Sequence, residues 1–182
     1  MQRRKLKPAW EESLRLNDGR ELWLRPIQPA DAGPLRHGFA LLHPEEIRMR
    51  FLHPMKELSP AMAHSLCNID RRSEFALVAA EPLPPGEALI GAVARCAIGG
   101  DNRAEFAILV AQLLTGNGLG RLMMLRLINW ARRKRVDAIY GDVLDDNSAM
   151  LGLAAELGFS RRHQADDRGV LRVEFSLKKT AT

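Results

Sequence analysis

An α+β fold built on a mixed sheet is what this sequence predicts, and three observations predict it. Helical patterns dominate residues 28–69, an antiparallel meander of apolar strands follows over 74–110, and strand and helix patterns then alternate to 177. The last of these requires at least one parallel strand pair, because a helix between two strands returns the chain in its original direction. A single strand–helix alternation after a meander does not make a doubly wound sheet.

Each element follows from local chemistry. Asn17-Asp18-Gly19 marks a turn, and residues 20–27 alternate like a strand that Pro26 closes. Gln28-Pro29-Ala30-Asp31 opens a helical stretch to about 42, and a second helix covers 44–51. Ser59-Pro60 sets an N-cap before a first-turn proline, giving a third helix to about 69. Strands are predicted over 74–81, 88–98 and 104–110, separated by a proline-rich turn at 82–86 and a turn at 99–102. The spacing predicts a long helix over 119–134, where Gly120, Met123, Met124, Leu127, Ile128 and Ala131 form one apolar stripe and Arg121, Asn129, Arg132 and Arg133 oppose it. A strand over 138–144, a helix over 147–157 ended by Gly158, and short strands at 159–163 and 170–177 complete the pattern. Residues 1–15, polar and basic around Trp10, read as an N-terminal tail or docked segment, and 179–182 as a C-terminal tail, leaving one domain over 16–178.

Composition narrows the class. With 182 residues, 46% hydrophobic and 27% charged, the chain can bury a core without staples and is neither disordered nor membrane-embedded. Arg95 interrupts the longest apolar run, and the basic start of the chain has no apolar stretch behind it, so no span or signal peptide is expected. Cys67 and Cys96 sit apart in apolar surroundings, as reduced thiols of a cytoplasmic core do. The histidines and cysteines form no ligand spacing, so no metal site is expected. The net charge of +5 permits a nucleic acid, an acidic protein surface or a phosphorylated small molecule as partner. Nucleic acid is the weakest of the three, since no aromatics interleave with the basic clusters, and the run 132–135 reads as a solvated helix end.

The chemistry concentrates where the strand 104–110 feeds Thr115-Gly116-Asn117-Gly118-Leu119-Gly120-Arg121 and a helix begins. Glycines let successive N–H groups converge, and a helix start adds about half a positive charge, so phosphate or pyrophosphate is the natural ligand. The loop lacks the Lys-Ser/Thr of a nucleotide P-loop, and Arg121 stands where a dinucleotide fingerprint needs its third glycine.

This loop, together with Asp18-Gly19, Leu24-Arg25-Pro26-Ile27, Arg48-Met49-Arg50-Phe51, Glu57-Leu58-Ser59-Pro60, Ala76-Leu77-Val78-Ala79, Ala104-Glu105-Phe106-Ala107 and Glu156-Leu157-Gly158-Phe159, resembles the GNAT superfamily of N-acetyltransferases. Within it, the chain is most similar to the acetyltransferase domain of bacterial protein lysine acetyltransferases, over about residues 16–177. The resemblance implies a mostly antiparallel sheet of six to seven strands with one splayed parallel pair and helices on both faces. It implies acetyl-CoA as co-substrate, and a protein lysine, in that branch often on an acyl-CoA synthetase, as acceptor. Two positions depart from the pattern: Thr115 replaces the usual Gln or Arg, and Ala154 stands where many members carry a tyrosine general acid. Tyr140, the only tyrosine, lies in a predicted strand and is not expected to substitute.

Acetyl transfer needs a neutral amine, and a lysine with its ordinary pKa is only about 0.04% neutral at pH 7, so a base is required. Glu105 is the candidate: it sits in an apolar strand, where desolvation raises a carboxyl pKa, and the resembling branch places its base in this segment. Ile108, Leu109 and Val110 are expected to offer backbone groups to the pantetheine, Gly116 to Gly120 to hold the pyrophosphate with Thr115 and Arg121 beside it, and Asn147 to cap its helix or meet the pantetheine. A backbone N–H of the strand is expected to polarise the thioester carbonyl. Glu74 and Arg95 are substrate candidates or partners that orient Glu105. Neither cysteine has a basic neighbour, so direct transfer in a ternary complex is expected. The alternatives are a small-molecule amine acetyltransferase and a non-catalytic acyl-CoA-binding regulatory module. Terminal strands offer an edge on which a homodimer could pair.

Overall fold

In the computed structural model, described here for residues 1–5, 10–163 and 169–178, nine strands form one sheet in the order β1-β2-β3-β4-β5-β6-β7-β9-β8. The strands are β1 (Gln2–Lys5), β2 (Glu12–Arg15), β3 (Glu21–Pro26), β4 (Glu74–Ala80), β5 (Ile90–Ile98), β6 (Arg103–Val110), β7 (Ala138–Leu144), β8 (Ser160–His163) and β9 (Val170–Ser176). The helices are α1 (Ala32–Ala40), α2 (Pro44–Phe51), α3 (Pro60–Cys67), α4 (Leu119–Lys134) and α5 (Ser148–Glu156). The expected α+β fold with one parallel pair is present: β6 and β7 run parallel and every other neighbouring pair is antiparallel. The sheet exceeds the expected six to seven strands because the N-terminal segment contributes β1 and β2. Glu12 of β2 is buried there as an ion pair with Arg3 and Arg126.

Helices cover both faces. On one, the stripe of α4 buries Leu119, Met123, Met124, Leu127 and Ala131 against Ala104, Phe106 and Ile108 of β6. An aromatic stack continues this core, with Phe75 and Trp130 nearly parallel at 5.6 Å between centroids. On the other face, α1 and α3 pack over β3 to β5 through Ile27, Cys67, Ala76 and Val78, while α2 joins them through Phe39, Ile47, Leu58 and Ala63 and meets β6. A buried Arg25–Asp31 pair, both contacts 2.8 Å, ties β3 to the 3-10 turn that leads into α1. The basic run at the end of α4 is exposed, as expected of a solvated helix end, with Arg132 lying over Phe175 and Arg133 over Trp10. No helix among the described residues is long and apolar enough to cross a membrane.

One junction positions the site. The parallel ladder has only three rungs, Arg103 with Ala138, Ala104 with Ile139 and Glu105 with Tyr140, after which β6 and β7 part. Gly141 follows the last rung, and a Cβ there would sit 2.8 Å from two Phe106 ring atoms and 3.0 Å from its carbonyl oxygen. Glycine is therefore what lets the strands approach this closely before they diverge. Beyond the junction β7 pairs only with β9, through Leu144 and Val170, and the Phe106–Val110 edge of β6 is left unpaired on that side.

Candidate functional site

Against the 108–110 end of β6, between α2, α5 and the start of α4, lies a pocket of about 430 Å³. Its wall contains Ile108, Leu109, Val110, Thr115, Gly116, Gly118, Leu119, Gly120, Arg121 and Asn147, so every expected coenzyme residue except Asn117 converges here. From α2 come Glu46, Met49 and Arg50, and from α5 Ala149, Met150, Leu153 and Glu156. A larger groove of about 1050 Å³ lies on the far side of the Gln112–Leu114 turn. It holds none of the expected site residues, so size alone is a poor guide to the chemistry.

The loop is built to leave donors free. Gly116 and Gly118 have φ of +75° and +73°, a region costly for any residue with a Cβ. Thr115 donates its hydroxyl to the Gln112 carbonyl at 2.7 Å, and the Asn117 amide donates to the Leu114 and Thr115 carbonyls, both at 3.2 Å. Asn117 is thus a brace inside the loop rather than part of the wall, and its carbonyl oxygen accepts from the Asn17 N–H at 3.2 Å. The N–H groups of Gly116, Asn117 and Gly118 meet no acceptor among the described residues, and the first N–H groups of α4 have none by helix geometry. Several orphan donors at a helix start, flanked by partial positive charge, are an anion cradle. A Cβ at Gly120 would meet only ordinary contacts of 3.7 and 3.8 Å, so no close packing requires glycine there.

Arg121 is exposed and paired with Glu156 at 2.8 Å, which divides its charge between that carboxylate and any phosphate. Asn147 does cap α5, its side-chain oxygen accepting from the Met150 N–H at 3.1 Å, while also lining the pocket. The reserve candidates are committed to each other: Arg95 is 3.2 Å from Glu74 and donates to the Leu66 carbonyl at 2.8 Å. Strand register nonetheless sets Glu74, Ala97, Glu105, Tyr140 and Glu174 in one row across five strands, on the same face.

Glu105 differs from expectation in one respect. Its side chain is exposed, because α1 to α3 stop short of this row; the desolvation anticipated from its apolar strand is not supplied by the chain itself. Glu105 forms no hydrogen bond or ion pair among the described residues, but its charge reaches Arg50, Cys96, Tyr140 and Arg172. Tyr140, set aside on sequence grounds, is its rung partner. The Tyr140 ring lies between the guanidinium groups of Arg103 and Arg172, each 4.6 Å from its centroid, and burial followed by the Glu105 charge pushes the phenol above its ordinary pKa. Neither thiol is a nucleophile at neutral pH: burial pushes Cys67 up to about 11 and Cys96 up to about 12. The residue that sequence reasoning left without a role is Arg50, seen only as part of a family motif; nothing in an Arg-Met-Arg-Phe run says which arginine turns inward.

Comparison with known proteins agrees with this geometry. The model of the acetyltransferase (GNAT) domain family matches residues 21–160. An acetyltransferase of Pseudomonas aeruginosa is 34% identical over 160 residues, covering 87% of this chain and 84% of its own. The GNAT domain of S. lividans PAT superposes with a TM-score of 0.79 at 26% identity, over 94% of this chain and 99% of that one. The yncA protein of Salmonella typhimurium, solved with its cofactor acetyl-CoA, shares the fold at a TM-score of 0.66 and 17% identity, over 88% of this chain and 96% of that one.

Proposed function

The chain belongs to the GNAT acetyltransferase family, and from that premise we propose that it moves an acetyl group from acetyl-CoA to a primary amine, in particular a protein lysine, in the cytoplasm. The observation that carries the coenzyme half is the cradle of unpartnered N–H groups at 116–118, at one end of a pocket walled by the free edge of β6. A pyrophosphate seated there lets the pantetheine amides pair with residues 108–110 as an added strand, which directs the thioester toward Glu105.

In this reading the acceptor ammonium approaches the exposed row of the sheet and gives its proton to Glu105, directly or through one water. The neutral amine attacks the thioester carbonyl while a β6 backbone N–H holds the developing oxyanion. Collapse breaks the carbon–sulfur bond as the nitrogen gives up its second proton to water, and Tyr140, kept protonated by its surroundings, supplies the proton to the leaving thiolate and is reprotonated from solvent. The inert thiols favour direct transfer over an acetyl-enzyme. An exposed base on an open face suits a lysine carried by another protein, with an acyl-CoA synthetase as one such acceptor, better than a small amine needing an enclosed pocket. The test is calorimetry with acetyl-CoA, followed by mass spectrometry of proteins acetylated when enzyme and acetyl-CoA are added to cell extract, with Glu105→Gln as control. No acetyl-CoA binding, or acetylation unchanged in the variant, refutes the assignment.

A further inference from the structure

Arg50 points to a chemical feature of the substrate. It projects from α2 into the wall shared by the coenzyme pocket and a smaller cavity of about 50 Å³ roofed by α1 to α3. Apart from a cation–π contact with Phe51 at 4.7 Å, no hydrogen bond or ion pair joins its guanidinium to the described residues, and the side chain is part-buried. The charges that act on it are those of a second cation, Arg95, whose Nη1 and Nη2 already donate to Leu66 and Glu74, and of the carboxylate of Glu105. Burial, then Arg95, pulls the Arg50 pKa down to about 10, the mark of a cation held where it is not welcome. Five donors in a flat fork fit a carboxylate bidentately.

Resting on the acetyl-CoA reading above, we propose that Arg50 is the receptor for a carboxylate carried by the substrate at the reacting end of the pocket. The position fits that role, because Arg50 sits beside Leu109, between the pantetheine edge and Glu105. The carboxylate has two sources, the acyl group of a dicarboxylic thioester or the acceptor itself, close to its amine. Both place an anion on the same guanidinium.

The experiment uses two matched pairs with the intact chain. Succinyl-CoA against butyryl-CoA tests the donor; β-alanine against β-alaninamide, whose amine lies two carbons from the carboxyl group, tests the acceptor with acetyl-CoA. The wild-type protein should favour the charged member of one pair by about tenfold or more in kcat/KM, a ratio typical of one lost charged hydrogen-bond partner. Arg50→Met should abolish that preference and Arg50→Lys should restore part of it. The pair that responds names the source. No preference in the wild-type protein overturns the proposal without any variant, which matters if Arg50→Met does not fold. A variant that slows both members alike, or only shifts the pH profile, also overturns it and makes Arg50 a positioning residue for Glu105. Calorimetric binding of acetyl-CoA to the wild-type protein is read in parallel. Its absence rejects the coenzyme reading, whereas binding without any carboxylate preference rejects this inference alone.

Discussion

Glu105 and Tyr140 face each other on the last rung of the parallel ladder, immediately before the strands part. The carboxylate proposed to take a proton and the phenol proposed to give one are thus held by backbone pairing, not by loops. Replacing Glu105 by Gln should lower kcat for acetyl transfer about 100-fold or more, the range of a lost general base. Acetyl-CoA affinity measured by calorimetry should stay within a factor of about three, since the cradle lies elsewhere.

Tyr140→Phe should lower kcat by about tenfold with little change in coenzyme affinity. Because its surroundings raise the phenol's pKa, the ratio of wild-type to variant rates should stay flat between pH 7 and 9. A ratio that collapses within this window would show that the phenol is not the donor.

Gly118→Ala places a Cβ on a residue with φ of +73° at the mouth of α4. Left-handed backbone costs a non-glycine residue about 1–3 kcal/mol. Isothermal titration should show acetyl-CoA binding weakened by about tenfold, with the melting temperature falling by only a few degrees.

Gly141→Ala is expected to act on stability instead. Its new methyl meets the Phe106 ring at 2.8 Å and the Phe106 carbonyl oxygen at 3.0 Å, and the backbone contact cannot be relieved by a rotamer change. Overpacking of this kind costs about 1–3 kcal/mol, read as a lower denaturant midpoint. Asp31→Ala should cost more, about 3–5 kcal/mol, because it strands the Arg25 guanidinium in the interior.

The two thiols set an alkaline limit. Each has an ordinary pKa of 9.0, raised by burial to about 11 in Cys67 and about 12 in Cys96. Above pH 9 the unfolded chain releases these protons first, so the stabilisation is complete below pH 9 and is lost as pH rises through 11 to 12. Urea midpoints should therefore fall from pH 9 upward, and a Cys67→Ala, Cys96→Ala double variant should show a shallower decline. At pH 8 the native protein should resist thiol reagents that label it fully in urea.

Much of the site was legible because it depends on local rules. Glycines at 116 and 118, an asparagine cap at 147 and the stripe of α4 are each dictated within a few residues of chain. What escaped was non-local. The strand at 2–5, Gln-Arg-Arg-Lys, has no apolar alternation because it is an exposed edge, so only its pairing with β2 makes it a strand. Tyr140 was separated from Glu105 by a whole helix in sequence, and a register between parallel strands leaves no local signature. Charges inside the fold, at Glu12, Arg25 and Asp31, ran against the hydrophobic pattern and became sensible only with their partners in place. Glu105 was expected among apolar atoms because its neighbours in sequence are apolar, yet the helical cover ends before reaching it.

Both margins of the sheet carry the same sign. The outermost strands read Gln-Arg-Arg-Lys and Ser-Arg-Arg-His, with every side chain exposed. Laying two molecules border to border would bring basic side chains within about 5 Å of one another across the seam, a repulsion that discourages ribbon-like stacking and homodimers joined along a border. Counter-ions weaken such a seam, so lateral self-association, if provoked at all, should grow with ionic strength and recede on dilution into low salt.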